Sequence, residues 1–476
     1  MKHRKLLLSV LSLFLVLNVA AQEIFDIPES SDVRSCLVES WFELPVPILR
    51  TKAEEKYESI NGTTFQVRFE DDVDKSRIIV APSKIVKYEV HSAAGVEQIQ
   101  KEEYLEQSPG SWVFFKDTKT GKIDRIVYYF AINTEVYLEF NRSLFVPAEK
   151  SLANLIVFGR YAATDVPVGI PLEYFYDMSG DDVLSILRNV APWASAAVYY
   201  PLYEDLLQMT GVIRENLPRF RYVEDDNNAD VVAYDDLGML VSIKDGKPFP
   251  IPDSEENLLH VSSIGFVKWI VDGLVLPISG SGIILDKLVE NTKVFNEGSL
   301  SYTMAQMKDT TTALDWTRNL AAAMVSIYYD KNYDYATSGV QVNSVPFNDV
   351  YIENSGFKIS KLTPIFYYLA VTEPGRFYLG AIRKTVKLTY DELAKFNVDD
   401  KLGGNDGAEI VVYNECAAFF PMFDENGKFS VAVFMDGEEI SIDDFMNDYS
   451  EDFIQLVRIQ SSAKFVGSNE SGKVFH

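Results

Sequence analysis

Histidine and cysteine are scarce, and positive charge is in deficit. The 476 residues include four histidines and two cysteines, and 44 Lys and Arg face 70 Asp and Glu for a net charge of −26. Such counts weigh against a zinc site and against a disulfide-rich framework. The acidic balance argues against nucleic acid as a partner, because phosphate binding needs a basic face. After the first 21 residues no stretch is apolar enough to span a bilayer. What the chain does have is core material: 47% apolar residues and 13% aromatics at a length suited to two or three domains.

Residues 1–21 read as a secretory signal. Met1-Lys2-His3-Arg4-Lys5 is a basic start, Leu6–Ala21 is an apolar run of 16 residues, and Val19 and Ala21 suit the small positions before cleavage. An uncleaved anchor is the alternative, but a span needs about 20 apolar residues. Cleavage would start the mature chain at Gln22 with 41 basic and 70 acidic residues, exported to a periplasmic or extracellular compartment. There a disulfide between Cys36 and Cys416 is permitted; two separately buried thiols are the blander alternative.

The expected class is α+β. Residues 22–62 read as a leader or linker broken by Pro28, Pro45 and Pro47. Over 63–172, short alternating runs (Thr63–Phe69, Arg77–Val80, Lys84–Val90, Trp112–Phe115, Arg125–Ile132, Glu135–Phe140) suggest a β-sandwich. Residues 180–335 read as helical: Asp181–Val190, Leu202–Leu217, Leu258–Leu276, Ile283–Val294 and Asp315–Tyr329. Strand character returns over 336–460 in Ile365–Val371, Arg376–Ile382, Ile410–Tyr413 and Phe429–Met435, forming an antiparallel β-sheet. Ile440–Phe453 reads as a polar helix or turn, and 461–476 as a loose end.

Several segments invite a chemical reading and fail it. Asp226–Asp230 begins like a calcium loop, but Val231 replaces the required glycine and Leu237 the bidentate Glu. Gly403–Gly407 reads as a flexible loop. Ser279-Gly280-Ser281-Gly282 fits neither a nucleophile elbow nor a phosphate loop and reads as a helix–helix linker. Adjacent aromatics such as Phe366-Tyr367 and Phe419-Phe420 point to opposite faces if on strands, so core packing is their default. No metal or cofactor is expected.

One segment carries a resemblance. Ser262-Ser263-Ile264-Gly265-Phe266-Val267, opening a helix, resembles the Asp-Cys-Ser-Gly-Phe-Val stretch of the papain-like NlpC/P60 cell-wall peptidases. The resemblance implies a papain-like arrangement of the helical and sheet regions, with Ser263 at the nucleophile position and Ser262 at that of the preceding acid. Ile264 departs from the family's serine. In that family a helix N-terminus favours the cysteine thiolate and a later strand supplies a histidine base. Here His91, His260 and His476 are the histidines beyond the signal, so no C-terminal strand supplies an imidazole. His260, three residues before Ser263, is a local candidate. A serine without a base is a poor nucleophile. The expected function is therefore a non-catalytic exported cell-envelope protein with a degenerate peptidase-like region, binding peptidoglycan peptide or an envelope protein. The alternatives are an active wall amidase or endopeptidase using Ser263 or unidentified carboxylates, and an adhesin or assembly factor acting through the β-sandwich.

Overall fold

The alternation over residues 63–140 produces strands, and their register explains where the apolar residues go. The computed structural model describes residues 27–72, 75–92, 95–143, 150–188, 200–223, 231–292, 310–347, 351–388 and 408–467. The expected signal at residues 1–21, residues 224–230, 403–407 and His476 therefore lie outside the described residues. The fold is mixed α+β with large antiparallel sheets and, among the described residues, no closed barrel. The chain divides into two compact units, one mainly residues 1–199 and the other mainly 200–476.

The first unit holds helices α1 (Ser31–Leu37) and α2 (Val46–Leu49), then strands β1 (Glu55–Glu58), β2 (Thr64–Asp72), β3 (Lys75–Pro82), β4 (Lys84–Ser92) and β5 (Gly95–Glu103). After them come β6 (Trp112–Lys116), β7 (Ile123–Tyr128), β8 (Val136–Arg142), β9 (Ser151–Val157), β10 (Arg160–Pro167) and helix α3 (Gly180–Leu187). Eight strands pair antiparallel in the order β1-β2-β3-β6-β7-β8-β9-β10, while β4 and β5 form a separate hairpin. Cross-strand neighbours Val67, Val80, Trp112, Tyr128 and Leu138 share one face of the sheet. Ile79, Val113 and Val127 occupy the other, in a second apolar cluster with Ala81 and Tyr129. Both faces are thus buried near the sheet centre, which accounts for the unbroken apolar run Ile78–Ala81.

Residues 22–62 are a correction to the sequence reading: from Ser31 to Glu58 the described part is helix and strand. Pro45 and Pro47 do not break structure there. They sit at the start of α2, where a missing N–H costs nothing. Val33, Leu37, Trp41 and Phe42 form a buried helical stripe, and the Phe42 ring lies 4.2 Å from Phe114 on the sheet. The centrepiece is Arg34, fully buried over the Trp112 ring at 3.8 Å. Its Nε donates to Ser30 Oγ (2.9 Å), Nη1 to the carbonyls of Phe175 and Tyr176 (3.0 and 2.9 Å) and Nη2 to that of Met178 (2.6 Å). Burial lowers its pKa to about 10, but the ring of acceptors keeps the charge in place. Cys36 is an exposed free thiol, because Val33 and Leu37 take the inward stripe; Cys416 is buried and also free.

The second unit opens with α4 (Glu204–Asn216) and short strands β11 (Phe220–Tyr222), β12 (Val232–Tyr234), β13 (Leu240–Ser242) and β14 (Leu259–Val261). Helices α5 (Ser263–Ser279), α6 (Thr312–Tyr329) and α7 (Tyr335–Ser338) follow, then β15 (Gln341–Val342), β16 (Tyr351–Ile352), β17 (Gly356–Lys358) and α8 (Leu362–Thr372). The chain continues through β18 (Arg376–Leu388), β19 (Ala408–Phe423), β20 (Phe429–Met435), β21 (Glu438–Ile440), α9 (Ile442–Asp448) and β22 (Phe453–Gln460). The sheet order is β16-β17-β22-β18-β19-β20-β21, with β15 also on β22. Cys416 of β19 meets α5, whereas Phe419, on the opposite face, stacks on Phe366 of α8 and meets Phe445 of α9 edge-on. Helices therefore cover both faces of the sheet.

Four further expectations change. Ile365–Val371 lies in helix α8, since the run is apolar throughout apart from its tyrosine hydroxyls and no period distinguishes helix from strand. Ile283–Val294 is no α-helix over its described residues; it holds one 3-10 turn, Leu285–Lys287, and its Ile283 N–H donates to Asp272 Oδ1 of α5 (2.8 Å). The glycine-serine segment closes α5 through Gly280 in the left-handed conformation instead of linking two α-helices. Of the loose end, Phe465 is buried against Trp269, at 6.3 Å between ring centroids. A Cβ on Gly273 would come within 2.5 Å of that Phe465 ring.

Arg34→Met should destabilise the first unit by about 3 kcal/mol or more, because three buried carbonyls lose their donor. Urea unfolding followed by tryptophan fluorescence checks this, and a loss below about 1 kcal/mol would refute the clamp.

Candidate functional site

Ser263 sits where the resemblance places a nucleophile, as the first residue of α5, and Ser262 is the N-cap. Ser262 Oγ accepts from the Gly265 N–H (3.2 Å) and donates to the Val232 carbonyl (2.8 Å). This local capping starts the helix after the extended β14. A Cβ at Gly265 would collide with that Val232 carbonyl, so glycine is required by the approach of β12. Phe266, Val267 and Trp269 are core residues, each at most 2% exposed. The Gly-Phe-Val part of the motif is explained by packing alone.

Ser263 itself is 6% exposed and faces β19. Its Oγ accepts from the Cys416 N–H (3.0 Å), donates to the Cys416 carbonyl (3.2 Å) and lies 3.8 Å from Cys416 Sγ. The thiol in turn donates to the Ser263 carbonyl (3.5 Å), and burial pushes its pKa far above the ordinary thiol value. Neither group is a ready nucleophile: the hydroxyl is committed to main chain and the thiol is held protonated.

The imidazole of His260 turns to Glu255. Its Nε2 lies 3.3 Å from Glu255 Oε2 without a hydrogen-bonding geometry, and the His260 N–H donates to Tyr234 OH (3.2 Å). No contact joins it to Ser263 among the described residues. The side chain of His91 lies outside the described residues.

The structure brings up a carboxylate that motif reasoning passed over. Asp436, in the Asp436-Gly437 turn between β20 and β21, has a positive φ of 55° and an Oδ1 that is buried without a hydrogen bond among the described residues. Burial pushes its pKa up to about 6, a rise that the nearby Ser263 side chain opposes. Next to it on β19, Glu415 is held by Lys384 Nζ (2.6 and 2.8 Å) and by Tyr449 OH (2.9 Å). The Asp-Gly pair is a turn signal legible in sequence. Its meeting with Ser263, 173 positions away, is not. Among the described residues no group of three His, Cys, Asp or Glu is placed to hold a metal ion, and no helix is long and apolar enough to cross a membrane.

Residues 23–195 match a family model described as a domain of unknown function (DUF8515). That span falls within the first unit and stops short of α4, so Ser263 and its surroundings lie beyond it. Comparisons with curated proteins and with solved structures returned no match.

Two outcomes are expected. Ser263→Ala should cost about 1–3 kcal/mol, since the Cys416 N–H and carbonyl lose a buried partner; chemical denaturation measures it. For Asp436, a folded-state pKa of about 6 against the ordinary 3.8 means the folded chain binds this proton more tightly than the unfolded chain. Its contribution is most favourable below pH 4 and is lost as pH rises through 6. Asp436→Asn, which tolerates the positive φ, should therefore raise stability at pH 7.5 by about 1–2 kcal/mol and change it little at pH 3.5. Melting curves at the two pH values decide it, and an equal shift at both would contradict the assignment.

Proposed function

We propose that the chain is an exported, non-catalytic protein of the cell envelope, whose second unit descends from a papain-like NlpC/P60 peptidase and binds a wall component or a partner protein. The observation that carries this reading is the saturated Ser263 hydroxyl, bonded on both sides to the main chain of Cys416 with no imidazole in contact among the described residues. Helix α5 set end-on against an interior strand of an antiparallel sheet is in keeping with that ancestry. Export is supported by the basic start, the apolar run and the small residues Val19 and Ala21. The mature surface, rich in Asp and Glu, would stay soluble and be repelled by anionic lipid.

The runner-up is an active wall hydrolase, favoured by one observation: the Asp436 carboxyl beside Ser263, with a pKa near 6, has the character of a general base. Co-sedimentation of the mature chain with purified peptidoglycan sacculi separates the two. Binding at low salt, equal in wild type and Ser263→Ala and without release of soluble muropeptides, is the expected result. No pelleting at low salt would overturn wall binding. Release of muropeptides that disappears in Ser263→Ala would establish the hydrolase.

A further inference from the structure

A two-stranded hairpin is marginally stable in water and needs further strands or a covering element. The hairpin β4–β5 has neither: among the described residues its sheet holds these two strands alone. Side chains of β5 alternate between the two faces, and every residue from Gly95 to Glu102 is exposed, so neither face of this strand is covered. Ile99 stands 42% exposed and Tyr88, opposite it on β4, 40%. The base is tied to β1 by Lys56 Nζ to Glu102 (3.5 Å). Beyond that the β5 edge has little of the protection that edges usually carry. Its nine residues hold no proline, and its pairing with β4 runs without a bulge from Ser92–Gly95 to Lys84–Glu103.

Three features of β5 agree on one way to extend it. The pair Ser92–Gly95 closes a two-residue loop and is therefore a hydrogen-bonded pair, as is every second pair after it. The main-chain N–H and C=O of Val96, Gln98, Gln100 and Glu102 thus point away from β4. The sequence Glu97-Gln98-Ile99-Gln100-Lys101 reads the same in both directions about Ile99, except that its ends carry opposite charges. An antiparallel copy centred on Ile99 sets Gln98 against Gln100 as hydrogen-bonded pairs, and Glu97 against Lys101 twice. The same register overlaps the strands end to end, Gly95 opposite Glu103, so that neither tip runs past the other's base.

We infer that β5 is the edge through which two copies of this chain pair, forming a four-stranded antiparallel sheet across a two-fold axis at Ile99. Tyr88 and Ile99 share one face of the hairpin, so the two copies align four apolar side chains in a row across the joined sheet. The two Glu97–Lys101 pairs flank that row on the same face. Glu97 has no ion pair of its own among the described residues, and Lys101 Nζ reaches Glu103 (3.0 Å) in an exposed contact that is readily exchanged. Of the two hairpin edges β5 is the more open, since Val86 of β4 is half-buried. This edge shares no residue with the Ser263 cluster and stands whether or not that cluster is catalytic.

Sedimentation equilibrium of residues 22–476 tests this, at about 0.15 M salt so that repulsion between the acidic copies is screened. The wild type should dimerise with a dissociation constant of about 1–100 μM, since one strand edge is a small interface. Glu97→Lys and Lys101→Glu each set like charges opposite one another twice, and each should weaken the dimer about tenfold or more. Mixed in equal amounts, the two variants should associate with each other about as strongly as wild type, because every cross-strand pair again joins opposite charges. The double variant Glu97→Lys/Lys101→Glu should likewise regain the dimer. A folding defect in either single variant cannot produce this rescue. A wild type still monomeric at about 500 μM, a dimer unmoved by both single substitutions, or variants that do not associate when mixed would each overturn the inference.

Discussion

The second unit is organised around a hydroxyl that has been given to the backbone. Ser263 Oγ ties the first turn of α5 to Cys416 in the longest strand of the sheet, donating to its carbonyl and accepting from its N–H. Because that contact sets the helix directly on β19, the elements around α5 must approach closely as well. Gly265 admits the Val232 carbonyl, and Gly273 admits Phe465. Farther along the helix, Asp272 pairs with Lys268 inside the protein and holds the Ile283 N–H, steering the chain back along α5. A serine used in this way is a structural joint. That is the physical ground for reading the motif as structural.

Burial of polar groups sorts the molecule into finished and unfinished places. Arg34 is buried and fully satisfied, so it cements α1 to the segment Phe175–Met178 and leaves nothing for a ligand. Asp436 is largely buried with one oxygen unpaired, and the cost appears as a carboxyl that holds its proton up to about pH 6. Arg318 of α6, whose buried Nε makes no hydrogen bond among the described residues, has no such escape, because arginine stays charged. An unpaired carboxylate relaxes by protonation, which a guanidinium cannot do.

Much of the secondary structure was legible where one period dominated. The apolar spacing of Asp315–Tyr329 predicts a helix, and α6 covers it; the alternating runs over 63–140 are strands, all but Lys84–Val90 in the eight-stranded sheet. Legibility failed where burial was uniform. Ile365–Val371 has apolar residues on all sides and took the helical form. Prolines at 45 and 47 looked like breakers but mark a helix start, a distinction that depends on which N–H groups are already free. Within the candidate site, Ser263, Ser262 and the missing imidazole were visible in sequence. Cys416 and Asp436 were not, since residues 153 and 173 positions away become neighbours of Ser263 only through the packing of α5 on the sheet.

Composition and order along the chain determined the α+β class, the acidic character and the absence of a histidine from every strand between His260 and the C-terminus, because these are properties of counts and positions. Whether a given polar group is free to act belongs to tertiary structure, because it depends on what stands within 3 Å of each donor and acceptor. Folding turned Ser263 from a candidate nucleophile into a joint. It also left Arg318, unremarkable as one arginine in a helix, with a buried Nε–H that has no hydrogen-bond partner among the described residues.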